Sequence, residues 1–397
     1  MAYPTMPDYT INYLCFFPET GETQAEQLTD CYRQFAKNTQ NKNYSKHSVL
    51  KQTIFISVAD NSEYIQSKQK LLSCAKVFFG ELPPTSILAQ SPENESLAIE
   101  FTYIEGAQSE ELIRKQNEEA SWLVFERAET KMIFAAGLGS ADATENILLQ
   151  SDIAFGQLQC ILKTENMEFS DIVRQWNYIE QITEITDENK SPSQHYQVFN
   201  DVRTKYYHLS RFKRGFPAAT GIGTDFGGIS IDFIAAKFKN EESVIAVKSP
   251  VQLDAYNYSQ EVLAENNSMC DFCRTTPKFE RAKIISTPES KWIFVSGTAA
   301  ISGQASSNQQ SAELQTEMTI QNILNLISVE NIEKHGISGV KKTSFNYFRV
   351  YVKYKNDIQQ VKDVCLKYFP QVPILYVVAD ICRPELLVEI EGQAQIN

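Results

Sequence analysis

A chain of 397 residues exceeds what one compact core usually holds, so two or three units sharing interfaces are expected. With 37 basic and 49 acidic residues the formal charge is -12, which disfavours nucleic acid as a partner because phosphate backbones are held mainly by Lys and Arg. No apolar run is long enough to cross a bilayer and Met1–Thr5 leads into nothing like a signal segment, so no membrane partner is expected and the cytoplasm is the expected compartment.

Taken in chain order, Ile54–Val58 alternates as a strand, Tyr64–Phe79 has helical spacing, and Pro83-Pro84 leads into a hairpin of Thr85–Ala89 and Leu97–Tyr103. The order then starts again more fully. Lys131–Gly137 reads as a strand, about Asn146–Leu162 as a helix, Val173–Ile179 as a strand and Gln197–Tyr207 as a second helix. Pro217 then opens a hairpin ending in Ile229–Ala235. After a charged stretch the series returns as Lys291–Gly297, Ala312–Ile327, Tyr347–Val352 and Ile358–Tyr368, followed by Pro373 and a closing strand Leu386–Gly392. The repeat predicts an α+β fold of three tandem units, each with helices on one face of a sheet. Residues 1–120 form a degenerate first unit, 121–236 the second, 237–283 a connector and 284–397 the third.

The eight cysteines are scattered and read as thiols. Cys270 and Cys273 have the spacing of half a zinc site, but no second pair stands nearby to complete four ligands, so no metal is expected. Four histidines show no ligand or catalytic spacing, and Thr220-Gly221-Ile222-Gly223 is not a phosphate-loop fingerprint.

Ile293–Ala299 at the start of the third unit and Leu387–Glu391 at its end resemble the RidA/YjgF fold, whose members are homotrimers with sites between subunits. Three such units in one chain resemble that trimer fused and diverged, the architecture of the chorismatases. The motif Arg214–Gly223 and the pair Cys382-Arg383 just before Leu387-Val388-Glu389 sharpen the resemblance, which covers residues 121–397 well and the first unit only in pattern. It implies a pseudo-trimer that needs no self-assembly, so a monomer, with no cofactor. It also implies conversion of chorismate to pyruvate and 3-hydroxybenzoate, with 4-hydroxybenzoate as a second possible product.

Releasing pyruvate from an enol ether requires a proton on its terminal methylene carbon. A carboxyl enclosed at an interface, facing a dianion, has the raised pKa that such an acid needs. Glu389 is the candidate: alternation turns Leu386, Val388 and Ile390 toward the helices and Leu387, Glu389 and Glu391 toward a neighbouring unit, and chorismatases have a catalytic Glu at this place. Laid against the other repeats, Glu389 falls opposite Asp232 and Glu100. The resemblance also gives Cys382, seven positions before Glu389, to the hydroxybenzoate-forming branch.

Each substrate carboxylate calls for a guanidinium. Arg214 and Arg349 are the better candidates, Arg383 stands beside Cys382, and Arg203 and Arg211 read as helix-surface charges. Tyr207 offers a phenol, Thr220 a hydroxyl and Gly221 close backbone approach. The competing readings are a hydrolytic chorismatase releasing a dihydroxycyclohexadiene carboxylate, a non-catalytic module binding a small acid, and a RidA-like deaminase. The last is disfavoured because Tyr376 stands near the place of its characteristic Arg.

Overall fold

The computed structural model describes residues 9–397 except 41, 94–95, 141–144, 187–192, 209–211, 240–242, 264–272, 288–289 and 308–309. Met1–Thr5, Arg211 and Cys270 therefore lie outside the described residues. The first unit comprises β1 (Thr10–Phe16), α1 (Gln24–Asn38), β2 (Val49–Ile56), α2 (Asn61–Phe79), β3 (Thr85–Ala89) and β4 (Leu97–Glu105). The second opens with β5 (Leu112–Gln116), β6 (Ser121–Arg127) and β7 (Thr130–Leu138), followed by α3 (Ile147–Thr164) and β8 (Ile172–Glu180). A short ribbon of β9 (Ile185–Thr186) and β10 (Ser193–Gln194) precedes α4 (His195–Tyr206), β11 (Ala218–Thr224) and β12 (Ile229–Phe238). The third contains β13 (Val244–Val247), α5 (Gln260–Leu263), β14 (Ala282–Ser286), β15 (Lys291–Ala299) and a ribbon of β16 (Ile301–Ser302) and β17 (Ala305–Ser306). It continues with α6 (Ala312–Leu326), α7 (Val329–Lys334), β18 (Thr343–Val352), α8 (Ile358–Tyr368), β19 (Ile374–Val378) and β20 (Val388–Ile396).

The three sheets share one strand order, β1-β4-β2-β3, β7-β12-β8-β11 and β15-β20-β18-β19, each ending in a parallel pair. The second adds β6 and β5 outside β7, and the third adds β14 and β13 outside β15. Among the described residues the first unit lacks that pair of edge strands, which is the sense in which it is degenerate. These edges shift the expected divisions. Leu112–Gln116 pairs within the second sheet, and Val244–Val247, from the stretch read as a connector, pairs within the third.

One face of each sheet is covered by its own helices, with Ile54, Leu71 and Ile99 in the first core, Ile133, Leu158 and Ile231 in the second, and Ile293, Ile323 and Ile390 in the third. The helices start where a side chain caps them: Asp60, Asn146 and Ser311 each accept a hydrogen bond from the backbone three residues on. The opposite faces of all three sheets meet in a fourth core holding Phe55, Phe134, Trp176, Phe294 and Tyr351. The chain is thus three units of one strand order around a shared centre. Among the described residues no helix is long and apolar enough to cross a membrane.

That centre is crossed by buried ion pairs. Glu100, Asp232 and Glu391 each occupy the fourth position of their unit's closing strand. Each is held by the central strand of a neighbouring unit: Asp232 by Lys51 at 2.9 Å, Glu391 by Arg174 at 2.6 Å, and Glu100 by Arg349 at 2.7 Å and by the Tyr347 hydroxyl. Strand register makes Lys51, Arg174 and Tyr347 equivalent, each lying two residues before the partner of its own unit's acid. This corrects the repeat alignment: the recurring acid is Glu391, and the counterparts of Glu389 are Ala98 and Ser230. The closing strand also begins only at Val388, so Leu386 falls in the central core while Leu387 packs toward the third unit's own core, the reverse of the alternation expected for them.

Lys51 and Asp232 are both fully buried, so Lys51→Met leaves a carboxylate with the Ser86 hydroxyl and the Gly137 N–H but no cation. A loss of about 3–5 kcal/mol is expected, read as a lower urea midpoint. Lys239→Met, which breaks an exposed pair with Glu129, is expected to change stability by less than about 1 kcal/mol.

Candidate active site

The described residues enclose a cleft of ≈ 660 Å³ between the second and third units. Its floor is Glu389, second residue of β20, 5% exposed and aimed at the interface as the alternation of that strand requires. Its carboxyl makes no hydrogen bond or ion pair with any described residue. Burial and then the negative charge of Glu391 push it up to about 8, against a partial counter-effect of Arg174 and Arg281. At neutral pH it is therefore mostly a protonated acid.

Glu391, two residues along the same strand, is the opposite case. Burial raises it, but Arg174 and Arg349, with hydrogen bonds from Thr220 and the Trp176 indole, hold it below its ordinary value. Around the centre three cations, Lys51, Arg174 and Arg349, meet three paired carboxylates, and Glu389 is the fourth carboxyl with no cation left for it. The space it occupies depends on Gly297, where a Cβ would stand 2.0 Å from the Glu389 carboxyl oxygen.

The walls carry an uncompensated positive charge. Arg203 and Arg281 are each 2% exposed, and with Arg274 and Arg383 they line the cleft without an ion pair to any described residue. Arg281 donates to the Leu253 carbonyl and the Tyr258 hydroxyl, and Arg383 to the Gln304 carbonyl and the Ser306 hydroxyl. The buried Nε atoms of Arg203 and Arg274 find no acceptor among the described residues. Guanidinium groups withdrawn from water without counter-ions are costly, so in a chain of charge -12 this arrangement is built for an anionic ligand. The carboxylates of Glu261 and Glu385 stand only at the exposed rim. Tyr196 of α4 lies across Gly221, where a Cβ would approach its ring to 2.9 Å. Cys382 faces Glu389, and burial followed by that carboxyl pushes its thiol up to about 12, so it sits in the cleft as a neutral thiol rather than a thiolate nucleophile.

Of the residues expected from sequence, Glu389, Cys382, Arg383 and Gly221 line the cleft together. Thr220 lies on the same strand but turns to the centre, bonding Arg174, Glu391 and the Gly297 N–H. Three expectations fall elsewhere. Arg349 is spent on Glu100 and Glu391 at the pseudo-threefold axis, Arg214 pairs with Asp171 at 2.9 Å outside the cleft, and Tyr207 is buried in the second unit's core against Gln175. In their place stand Arg203, Arg274, Arg281 and Tyr196. Arg203, set aside as a surface charge, shares a stripe with Tyr196 and Asn200 at intervals of four and three along α4, beside the apolar stripe of Val198, Phe199 and Val202. That polar stripe was the available signal. Arg274 and Arg281 come from a stretch without periodicity, where none existed.

Residues 109–235 match the family model described as chorismatase FkbO/Hyg5-like, N-terminal. A 3-hydroxybenzoate synthase from Streptomyces hygroscopicus is 31% identical over 235 residues, covering 57% of this chain and 64% of that protein. A chorismatase from Streptomyces rapamycinicus is 30% identical over 229 residues, covering 56% and 64%. The chain thus matches less than two thirds of the length of these relatives. A crystal structure of a chorismatase superposes with a TM-score of 0.67 at 19% identity, covering 97% of this chain and 99% of that one.

Gly297→Ala tests how tightly the acid is seated. The variant is expected to fold, since the nearest atoms to the added methyl group are those of two side chains, the Glu389 carboxyl and the Thr220 methyl, while the Glu389 carboxyl is displaced from its position in a crystal structure of the variant.

Proposed function

We propose that this chain, whose residues 109–235 match the FkbO/Hyg5-like chorismatase model and whose fold superposes on that of a chorismatase over 97% of its length, converts chorismate to 3-hydroxybenzoate and pyruvate. The observation that carries this reading is the Glu389 carboxyl, held up to about 8 and unpaired among the described residues, in a cleft with four guanidinium groups that have no counter-ion among those residues. Chorismate is a dianion with an enol ether, and those features complement each other: cations for two carboxylates and an acid for one vinyl carbon.

Glu389 gives its proton to the terminal methylene, and the resulting positive charge is shared between the ether carbon and its oxygen. Breaking the bond from that oxygen to the ring returns the electron pair and frees pyruvate. The neighbouring ring hydroxyl closes on the vacated carbon, its proton returns to Glu389, and the strained ring product opens to the aromatic hydroxybenzoate. Atoms balance without water or cofactor. A neutral Cys382 beside Glu389 fits this route better than a charged one, since it offers a compact, weakly polar wall to the ring during closure. The similarity to a 3-hydroxybenzoate synthase from Streptomyces hygroscopicus supports the same product.

Glu389→Gln is expected to lower pyruvate release from chorismate about 10²–10⁴-fold in a coupled assay, with little change in KM. Because the protonated form acts, the rate of the unaltered enzyme is expected to hold below pH 8 and fall about tenfold per unit above it. Mass analysis of the product separates the routes: a hydroxybenzoate supports ring closure, and a dihydrodiol carboxylate, which requires water, overturns it. Full activity in Glu389→Gln removes the assigned acid.

A further inference from the structure

Glu100 and Asp232 tie their units to the next one, and Glu391 occupies the same position of its own closing strand with the same kind of partner, Arg174 matching Lys51. Only in the third unit does the residue two places earlier carry an acid. Two residues apart on one strand face, Glu389 and Glu391 stand about 6.6 Å from each other along the strand. Arg174 is within reach of both, yet its guanidinium is turned to the Glu391 carboxylate at 2.6 Å, where Thr220 and Trp176 also donate. The Gly137 N–H donates to Asp232 in the second unit, whereas the matching Gly297 N–H donates to the Thr220 hydroxyl, so Glu389 gains no donor from that strand either.

We propose that Glu391, structural acid of the third unit, is also a positioning residue for Glu389: it presents a fixed negative charge on the same strand face and keeps Arg174 and Thr220 turned away, leaving Glu389 without a counter-ion. This deepens the reading above by giving the central ion-pair network a part in setting the acid. The groups that face Glu389 are Glu391 from its own strand, Arg174 from β8, Tyr196 and Arg203 from α4, Arg281 ahead of β14, and Cys382 and Arg383 from the turn before β20, with Glu385 at the rim. Two of these act with opposite sign, and that difference makes a test. Neutralising Glu391 removes a repelling charge and frees Arg174, both of which favour ionised Glu389; removing Arg174 takes away an attracting charge and favours the acid.

The experiment is a pH titration of the full chain labelled with 13C at the glutamate carboxyls, the Glu389 signal being the one missing from Glu389→Gln. In Glu391→Gln, which keeps the shape of the side chain, the Glu389 midpoint is expected to fall by at least about one pH unit. In Arg174→Met it is expected to rise or stay. A general loosening of the interface would move both the same way, since it would admit water to the same carboxyl; that result, or an unmoved midpoint in Glu391→Gln, overturns the proposal. With chorismate, the falling limb of the rate profile is expected to move down with the midpoint in Glu391→Gln, giving about tenfold loss at pH 8 and near-full rate at pH 6. The titration stands apart from turnover: if chorismate is not converted while the midpoints shift as stated, the functional reading fails and this one holds.

Discussion

Everything in this molecule is arranged around three buried cations at the pseudo-threefold axis. Lys51, Arg174 and Arg349 each come from the central strand of one unit and are neutralised by a carboxylate from the closing strand of another. Buried pairs of this kind contribute little net stability compared with apolar residues, but breaking one is expensive, so they fix how the units dock more than how strongly. Arg349 pairs with Glu100 of the first unit and Glu391 of its own and donates to the Tyr178 hydroxyl of the second, which links all three units through one side chain. The aromatic and aliphatic residues of the central core supply the apolar contact, while the ion pairs select the register in which that contact is made.

Against this closed ring, the cleft is the place where the balance of charge is left open. Glu389 adds a carboxyl where Ala98 and Ser230 stand in the other units, and the arginines of the cleft add cations without carboxylate partners. Both imbalances have the same consequence: one favours a bound proton and the other a bound anion. The extra walls come from parts of the chain outside the repeated core. Tyr258, Arg274 and Arg281 belong to the stretch between β13 and β14, and Cys382 and Arg383 to the turn that delivers the chain to β20. The repeated frame thus supplies Glu389 on β20 and Tyr196 and Arg203 on α4, and the unrepeated segments complete the walls of the cleft.

The legibility of these features in the sequence follows from their periodicity. Helices and strands of the second and third units were readable because each buries a stripe or a face with a regular spacing, and the proline ahead of each final hairpin marked its entry. The place of Glu389 was readable from strand alternation joined to a family resemblance. The repeat register was misread by two residues because alternation is unchanged by a two-residue slip: Glu389 and Glu391 share a face, and only strand pairing distinguishes them. Arg349, in an otherwise apolar and aromatic strand, and Arg214, at the entry to the proline-glycine hairpin, read as ligands for a substrate because a cation so placed needs an anionic partner. It has one, but that partner is Glu100 for Arg349 and Asp171 for Arg214, contacts far apart in sequence that no local pattern encodes.

Fusion of the three units into one chain accounts for the asymmetry physically. In a symmetric trimer any residue placed near the axis appears three times, so an unpaired carboxyl at the second position of the closing strand would bring three repelling groups to one buried centre. A single chain can place that carboxyl once, keep Ala98 and Ser230 at the other two positions, and keep all three interfaces paired while the one between the second and third units also holds an acid. The cost of a buried carboxyl without a counter-ion is then confined to one interface, where the Glu391–Arg174 pair keeps Glu389 from finding a partner while the pairs of the other two hold the frame.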